Sequence, residues 1–273
     1  IGLGNMATAI IGGLLREDTA LSSEDGNATV ITAANIIGSA KTEATRQKRA
    51  EQFGIAVTAS NREVAEAADV LVLAVKPQFF PEVIAEIRDA VSENTLVISI
   101  AAGLTLERIA GLFDRNVAAM RLIRCMPNTP ALVNAGCTAV VPGPGATEAD
   151  EALCLRLMES FGRAIVIPER LMDAASATAG SSPAFVFMFI EALADGAVAA
   201  GMPRTQAYEF AAAAVAGSAQ LVLETGRHPG DLKDMVCSPG GTTIEGVRAL
   251  EEGAFRASVM NAISACVEKA KAL

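Results

Sequence analysis

The feature that most constrains this chain is a change of rhythm near Pro168. Before it, strand-like and helix-like segments alternate; after it, only helical patterns remain. Val70 to Val75 is a continuous apolar run, as a strand buried on both faces requires, and Thr95 to Ile100 is a second strand. Val30–Ile37, Ile55–Val57, Val117–Ile123, Ala139–Val141 and Ala164–Ile167 supply further strands. Between them, Thr42–Phe53 is a polar surface helix, Ser60-Asn61-Arg62-Glu63 opens another as a capping box, and helices follow over Pro81–Val91 and Thr105–Phe113. Parallel strands need a crossover about as long as a helix, so this alternation predicts an α/β fold with a parallel, doubly wound sheet over residues 1–168. Residues 169–273 should form an all-α domain. Its Pro183–Ala200 helix is apolar nearly all round, Arg204–Glu224 is long and Ala-rich, and Phe255, Val259, Ile263 and Val267 recur at four-residue spacing. Helices that apolar need a partner, and a second copy of the chain is the expected one, making this a dimerisation domain and the protein a homodimer.

The chain opens on Gly2-Leu3-Gly4-Asn5-Met6-Ala7, a G-x-G-x-x-A pattern running into an apolar helix. Gly2 permits a tight strand-to-helix turn, Gly4 lets backbone approach a pyrophosphate, and Ala7 allows close helix packing. The N–H groups of Asn5 and Met6 would then face phosphates at a helix N-terminus. This predicts a Rossmann-type sheet that binds a dinucleotide. A strand should precede the motif, so a few residues are expected ahead of Ile1.

The second strand ends at Ile37-Gly38-Ser39-Ala40-Lys41, with no acid before Glu43 to take a ribose diol. Ser39 and Lys41, with Arg46, instead suit a 2′-phosphate, which favours NADPH while leaving NADH possible. The alternative for Lys41 and Arg46 is plain solvated charge. Ala74-Val75-Lys76-Pro77 and Ala101-Ala102-Gly103 end two later strands on the same crevice, where small residues leave room for nicotinamide. Lys76 either contacts the cofactor or begins a loop. Asn61 is expected to bond the adenosine half, unless it is only the first residue of its helix.

A second anion site is expected at Ser238-Pro239-Gly240-Gly241-Thr242-Thr243-Ile244-Glu245. T-T-I-E reads as a capping box opening a helix at Thr242. The N–H groups of Gly241, Thr242 and Thr243 would converge on a small anion such as a carboxylate, since the octet has no basic side chain. The alternative is an ordinary capped helix after a turn.

Composition excludes other classes. The chain has 22 basic and 31 acidic side chains, a net charge of −9, and no Lys/Arg cluster, so no nucleic-acid partner is expected. Aromatics are 4% with no Trp, which leaves little for base stacking. Five cysteines without a C-x-x-C pair, and one histidine, offer no metal set. No signal-peptide pattern is seen, so a cytoplasmic protein with reduced thiols is expected. The uncharged run from Arg124 to Glu148 holds four prolines and three glycines, and Gly180 and Pro183 interrupt Ala174–Ile190, so no membrane span is expected. His228 should sit in a turn. Glu191 and Asp195 should be ion-paired, with Lys233 a candidate partner. Cys125 and Cys237 read as packing residues.

Together these motifs resemble the pyrroline-5-carboxylate reductases over essentially the whole chain. The resemblance rests on I-G-L-G-N-M-A, A-V-K-P (Ala74–Pro77), A-A-G (Ala101–Gly103), R-C-M-P-N-T-P (Arg124–Pro130), E-A-L-A-D-G (Glu191–Gly196), H-P-G-D-L-K-D (His228–Asp234) and S-P-G-G-T-T-I (Ser238–Ile244). It implies hydride transfer from NAD(P)H to the C=N bond of 1-pyrroline-5-carboxylate, giving L-proline, the last step of proline biosynthesis. It implies a helical domain that completes the neighbouring subunit's site, in dimers that assemble into decamers in many members. Ser238, Gly240, Gly241, Thr242 and Thr243 would hold the substrate, with Thr243 meeting the ring nitrogen as the catalytic hydroxyl. Two departures stand out: Ser182 and Phe185 replace a glycine and a tyrosine of the family pattern, and the segment from Glu17 to Asn35 is long. A β-hydroxyacid dehydrogenase, the competing reading, needs a lysine that Ala177–Glu191 lacks.

Overall fold

A computed structural model describes residues 1–16, 20–22 and 28–271. The polar stretch Glu17–Asn27, whose sequence reads as a loop, lies largely outside them. The chain divides into two units, Ile1–Gly180 with the chain end from Lys269, and Ser181–Glu268.

The first unit begins with α1 (Asn5–Leu14), followed by a small antiparallel pair, β1 (Ala20–Ser22) and β2 (Ala28–Val30). Next come β3 (Ile37–Ser39), α2 (Glu43–Phe53), β4 (Ala56–Thr58), α3 (Asn61–Ala67), β5 (Val70–Leu73), α4 (Phe80–Ile87), β6 (Leu96–Ser99), α5 (Leu106–Leu112) and β7 (Leu122–Met126). The unit continues with β8 (Gly136–Pro142), α6 (Glu148–Glu159), β9 (Gly162–Val166) and the single-turn α7 (Met172–Ala175). β3 and β4 pair in parallel, and β5 to β9 form a sheet in chain order. Residues 1–3 join the two. The Ile1 nitrogen donates to Val72 O at 2.7 Å, Ala74 N donates to Ile1 O at 2.8 Å, and Gly2 N donates to Ser39 O at 3.0 Å. The order is therefore β4-β3-(1–3)-β5-β6-β7, with the reversal of direction across the sheet at residues 1–3, where such folds place a dinucleotide.

The central strands β6 and β7 bury both faces. Along β6, Leu96 and Ile98 pack with Ile123, Cys125, Val140, Cys154 and Phe161 on one side. The intervening Val97 packs with Leu71, Leu73, Ile84, Ile109 and Leu122 on the other. The period of two thus feeds two cores from one strand, and each such side chain contributes about 1.5–3 kcal/mol on burial. A cavity of about 290 Å³ lies beside residues 1–3, lined mainly by apolar side chains of α1, β3, β5 and α6.

Three expectations are corrected. The sheet is not wholly parallel, because β8 runs antiparallel to β7. The link from Met126 to Gly136 contains only a 3-10 segment, Thr129–Val133, too short for a crossover, so the chain must turn back. Val117–Ala119 is a 3-10 turn capped by Asn116, and the strand begins only at Leu122. The expected Val30–Ile37 strand is broken by a 3-10 turn at Ala33–Asn35, closed by a Thr32–Asn35 capping box.

The second unit holds α8 (Ser182–Ala199), α9 (Arg204–Thr225), α10 (Pro229–Val236), α11 (Thr242–Glu252) and most of α12 (Phe255–Lys271). α8 and α9 form a hairpin packed through small residues, with Ala194, Ala207 and Ala211 buried and Ile190, Ala197, Val198 and Met202 beside them. Larger side chains point outward: Phe187 is 60% exposed, Phe210 66% and Met260 69%. Such a surface marks a contact with another molecule. The expected breaks at Gly180 and Pro183 do not interrupt the helical run. A π turn at Ser176–Ser181 carries the chain through Gly180, and Pro183 follows directly after it, in the first turn of α8. By length and composition alone, Glu169–Ala199 could cross a membrane.

Candidate active site

The glycine turn is built around Gly2, whose φ of +92° is a conformation that favours glycine. A Cβ there would stand 2.8 Å from Val75 Cγ1 and 3.0 Å from the Ala74 carbonyl carbon, so the turn and the A-V-K-P segment are pressed together. Gly4 differs: among the described residues, nothing lies within 4 Å of where its Cβ would be. It is the N-cap of α1 and no side chain caps that helix. Its carbonyl accepts from Thr8 N–H and Thr8 Oγ1, both at 2.9 Å. The N–H groups of Asn5 and Met6 therefore open onto an uncapped helix end, a cradle that fits the pyrophosphate of a dinucleotide. Leu3 is buried, and its carbonyl accepts from Arg49 Nε at 3.3 Å.

On the same edge, Lys76 is exposed and stands at the N-cap position of the 3-10 turn Pro77–Phe79, without a side-chain cap bond. After β6, Ala101 is buried while Ala102 and Gly103 are exposed, and Gly103 has φ +75°. Ser39 is fully buried, and its hydroxyl donates to Asn61 Oδ1 at 2.8 Å. Asn61 in turn donates to Glu86 Oε2 at 2.6 Å. The structure thus brings Ser39 and Asn61 together but turns the Ser39 hydroxyl inward. Lys41 is exposed. Arg46 is not a free surface charge: it donates to Ala40 O at 2.7 Å and Lys41 O at 3.2 Å, and pairs with Glu43. It braces the loop that carries Lys41. Ser60 caps α3 by accepting from Glu63 N, but the box is half formed because the Glu63 carboxylate accepts from Thr58 Oγ1 instead.

The octet lies in the second unit. Gly241 N donates to Ser238 O at 3.0 Å, and Gly240 takes φ +65° after Pro239, the pattern of a type II turn. A Cβ on Gly241 would meet Ser238 Oγ at 2.4 Å. Two details differ from expectation. Gly241, not Thr242, is the N-cap of α11, so there is no capping box, and Glu245 pairs with Arg248 at 3.0 Å. The Gly241 N–H is committed to the turn, which leaves Thr242 and Thr243, both exposed, to present N–H groups at the helix start.

His228 caps α10, its Nδ1 accepting from Gly230 N at 3.0 Å. Asp195 pairs with Arg204 rather than Lys233, whose partner is the adjacent Asp234. Cys125 packs 3.5 Å from Cys154 in the core. No described group of His, Cys, Asp and Glu could hold a metal ion. Sequence reasoning gave no individual role to three residues around R-C-M-P-N-T-P. Arg124, nearly fully buried, pairs with Glu169 at 3.0 Å, and Glu169 also accepts from Leu106 N at 2.8 Å. Asn128 Oδ1 accepts from Cys137 N at 2.8 Å, while its Nδ2 donates to Ala179 O at 3.0 Å. The only available signal was an asparagine just past a strand end.

The fold and the glycine cradle define an NAD(P)-dependent oxidoreductase, and residues 1–103 match the family described as "NADP oxidoreductase coenzyme F420-dependent". Residues 169–273 match "Pyrroline-5-carboxylate reductase dimerisation". Across all of this chain and 96% of the other protein, it is 50% identical to pyrroline-5-carboxylate reductase of Escherichia coli K12 and 40% to that of Methanosarcina acetivorans. A pyrroline-5-carboxylate reductase structure from Coxiella burnetii superposes with TM-score 0.88 at 33% identity, covering 99% of this chain and 95% of that one. One from Plasmodium falciparum with NADP bound gives 0.81 at 29% identity, with the same coverage. The chain belongs to the pyrroline-5-carboxylate reductase family.

Proposed function

We infer that the chain reduces 1-pyrroline-5-carboxylate to L-proline with NADPH, NADH serving less well, as the last step of proline biosynthesis. The observation that carries this is the occurrence in one chain of two helices whose N-cap is a glycine, with no side-chain cap over the N-terminus: α1 behind Gly4 and α11 behind the Ser238–Gly241 turn. One fits a pyrophosphate and the other a carboxylate. The family membership supports the same reading.

Gly2, Leu3, Gly4, Asn5 and Met6 hold the dinucleotide phosphates. Lys41, on its Arg46-braced loop, meets the 2′-phosphate, and Ser39 shapes that pocket by anchoring Asn61. Ala74, Val75, Lys76 and Pro77, with Ala101, Ala102 and Gly103, line the nicotinamide end. The reduced nicotinamide supplies a hydride. Ser238 and Gly240 shape the octet turn, Gly241 closes it, and the N–H groups of Thr242 and Thr243 hold the substrate carboxylate. The substrate's protonated C=N is already electrophilic, so hydride adds to its carbon and the π electrons pass to nitrogen. The Thr243 hydroxyl meets that nitrogen. Residue positions do the rest, through proximity and orientation.

The domain division is proposed as 1–168 for dinucleotide binding and 169–273 for dimerisation and substrate binding. The outward Phe187, Met188 and Phe210 support homo-oligomerisation through the helical unit, the octet of one subunit serving its neighbour, and dimers assembling into decamers. This assigns the long apolar helix to a protein interface rather than to a membrane, in a cytoplasmic enzyme. The test is NADPH oxidation with 1-pyrroline-5-carboxylate beside a 2-methyl-3-oxo acid. Turnover of the oxo acid alone would replace this reading with the β-hydroxyacid dehydrogenase one.

A further inference from the structure

We propose that Asn128 is a positioning residue for hydride transfer: its amide fixes the π turn at Ser176–Ser181 against the carboxyl end of β7, setting a wall at the nicotinamide end of the crevice. This rests on the reduction proposed above. β5, β6 and β7 are parallel and in register, Leu73 beside Ser99 and Ser99 beside Arg124. Their carboxyl ends therefore share one edge, and Asn128 stands two residues beyond β7, as Val75 and Ala101 stand two beyond β5 and β6.

Asn128 is 9% exposed, and both ends of its amide are used. The Cys137 N–H enters Oδ1 at 2.8 Å, and Nδ2 donates to Ala179 O at 3.0 Å. A donor on one side and a carbonyl on the other allow a single orientation of the amide. Ala179 lies inside the π turn. Such turns break the regular ladder of a helix and are often found at functional sites, and here the side chain of Asn128 takes up one of the turn's carbonyls. A second contact holds the same turn: a Cβ on Gly180 would lie 3.3 Å from Met126 Cε, at the end of β7. The turn is thus seated on β7 by a hydrogen bond and by close packing, beside the segments proposed to line the nicotinamide. A small shift of that wall changes the approach of the reacting atoms far more than it changes binding.

Asp at this position keeps the acceptor for Cys137 but sets a carboxylate against the Ala179 carbonyl. We expect N128D to lower kcat about tenfold or more, with NADPH affinity and substrate KM within about threefold of wild type. N128A removes both Asn128 bonds and releases the turn from the end of β7, so it should lower kcat in the same manner. Steady-state kinetics, an NADPH titration and a thermal melt on each variant read these quantities. N128D with wild-type kcat and a lowered Tm would make Asn128 structural only and overturn the proposal. If N128D fails to fold, a folded N128A with wild-type kcat overturns it equally. A wild-type enzyme without turnover of 1-pyrroline-5-carboxylate would instead remove the parent reading and this inference with it.

Discussion

The hydroxyl of Ser39 points into the protein and donates to Asn61 Oδ1 at 2.8 Å, tying the end of β3 to the start of α3. Ser39 has no exposed surface. An aspartate there would not merely reject a 2′-phosphate. It would bury a carboxylate against an acceptor oxygen, at a cost of several kcal/mol. We expect S39D to lower Tm sharply and to impair use of both cofactors.

Cofactor choice should respond instead at Lys41, which is exposed beside the braced loop. K41E should leave Tm unchanged and reduce kcat/KM for NADPH by roughly ten- to a hundredfold, from a lost charged contact of about 1.5–3 kcal/mol. NADH turnover should be little affected. Paired kinetics with both cofactors decide the matter, and a wild type that prefers NADH tenfold would sink this reading of the β3 end.

At the octet, geometry and hydroxyl can be separated. G241V forces a branched side chain onto Ser238 Oγ, which a Cβ would already meet at 2.4 Å, so it should raise substrate KM with NADPH affinity kept. T243A removes a hydroxyl that caps nothing, so stability should hold while kcat/KM falls about three- to a hundredfold, the value of one hydrogen bond to a neutral or charged group. Wild-type turnover by T243A would remove Thr243 from the site.

Phe187 and Phe210 are 60% and 66% exposed on one chain, so lysine at either should be tolerated within the subunit. Within an assembly it would bury an unpaired charge. Sedimentation of F187K and F210K should show dissociation with loss of activity; full-size, active variants would place the interface elsewhere.

Asp150 is 1% exposed and paired with Arg121. The Arg121 guanidinium, helped by the Thr147 N–H and hydroxyl, holds its carboxyl down at about 2, from an ordinary 3.8. A depressed carboxylate stabilises the fold above its unfolded pKa and loses that contribution as pH falls toward the folded one. The stabilisation, about 2 kcal/mol, is present above pH 4 and lost between about 4 and 2. Denaturant unfolding of wild type and D150N should show a gap that closes across that window.

Local chemistry announced itself in the sequence. Thr42, Ser60 and Thr105 cap their helices as serine and threonine before polar first turns should, and the β6 run is buried throughout as its apolar composition requires. The reversal at β8 was hidden, because a strand's direction depends on the length and shape of the link before it and not on its own residues. The inward turn of Ser39 was hidden because its partner lies 22 positions away, and the roles of Asn128 depend on carbonyl and amide groups 51 and 9 positions distant. At the octet, the two glycines marked the turn, but a threonine pair could not say which residue caps.

The alanine-lined contact between α8 and α9 has a consequence for how the chain lives in solution. A hairpin that spends its smallest side chains inside and keeps its phenylalanines and methionines outside draws much of its folding energy from encounters between chains. Its melting point therefore becomes a function of how much protein is present, climbing with concentration and sinking on dilution. Newly made subunits are at their most fragile while scarce, and the abundance of the enzyme is itself one of the forces that keep it folded.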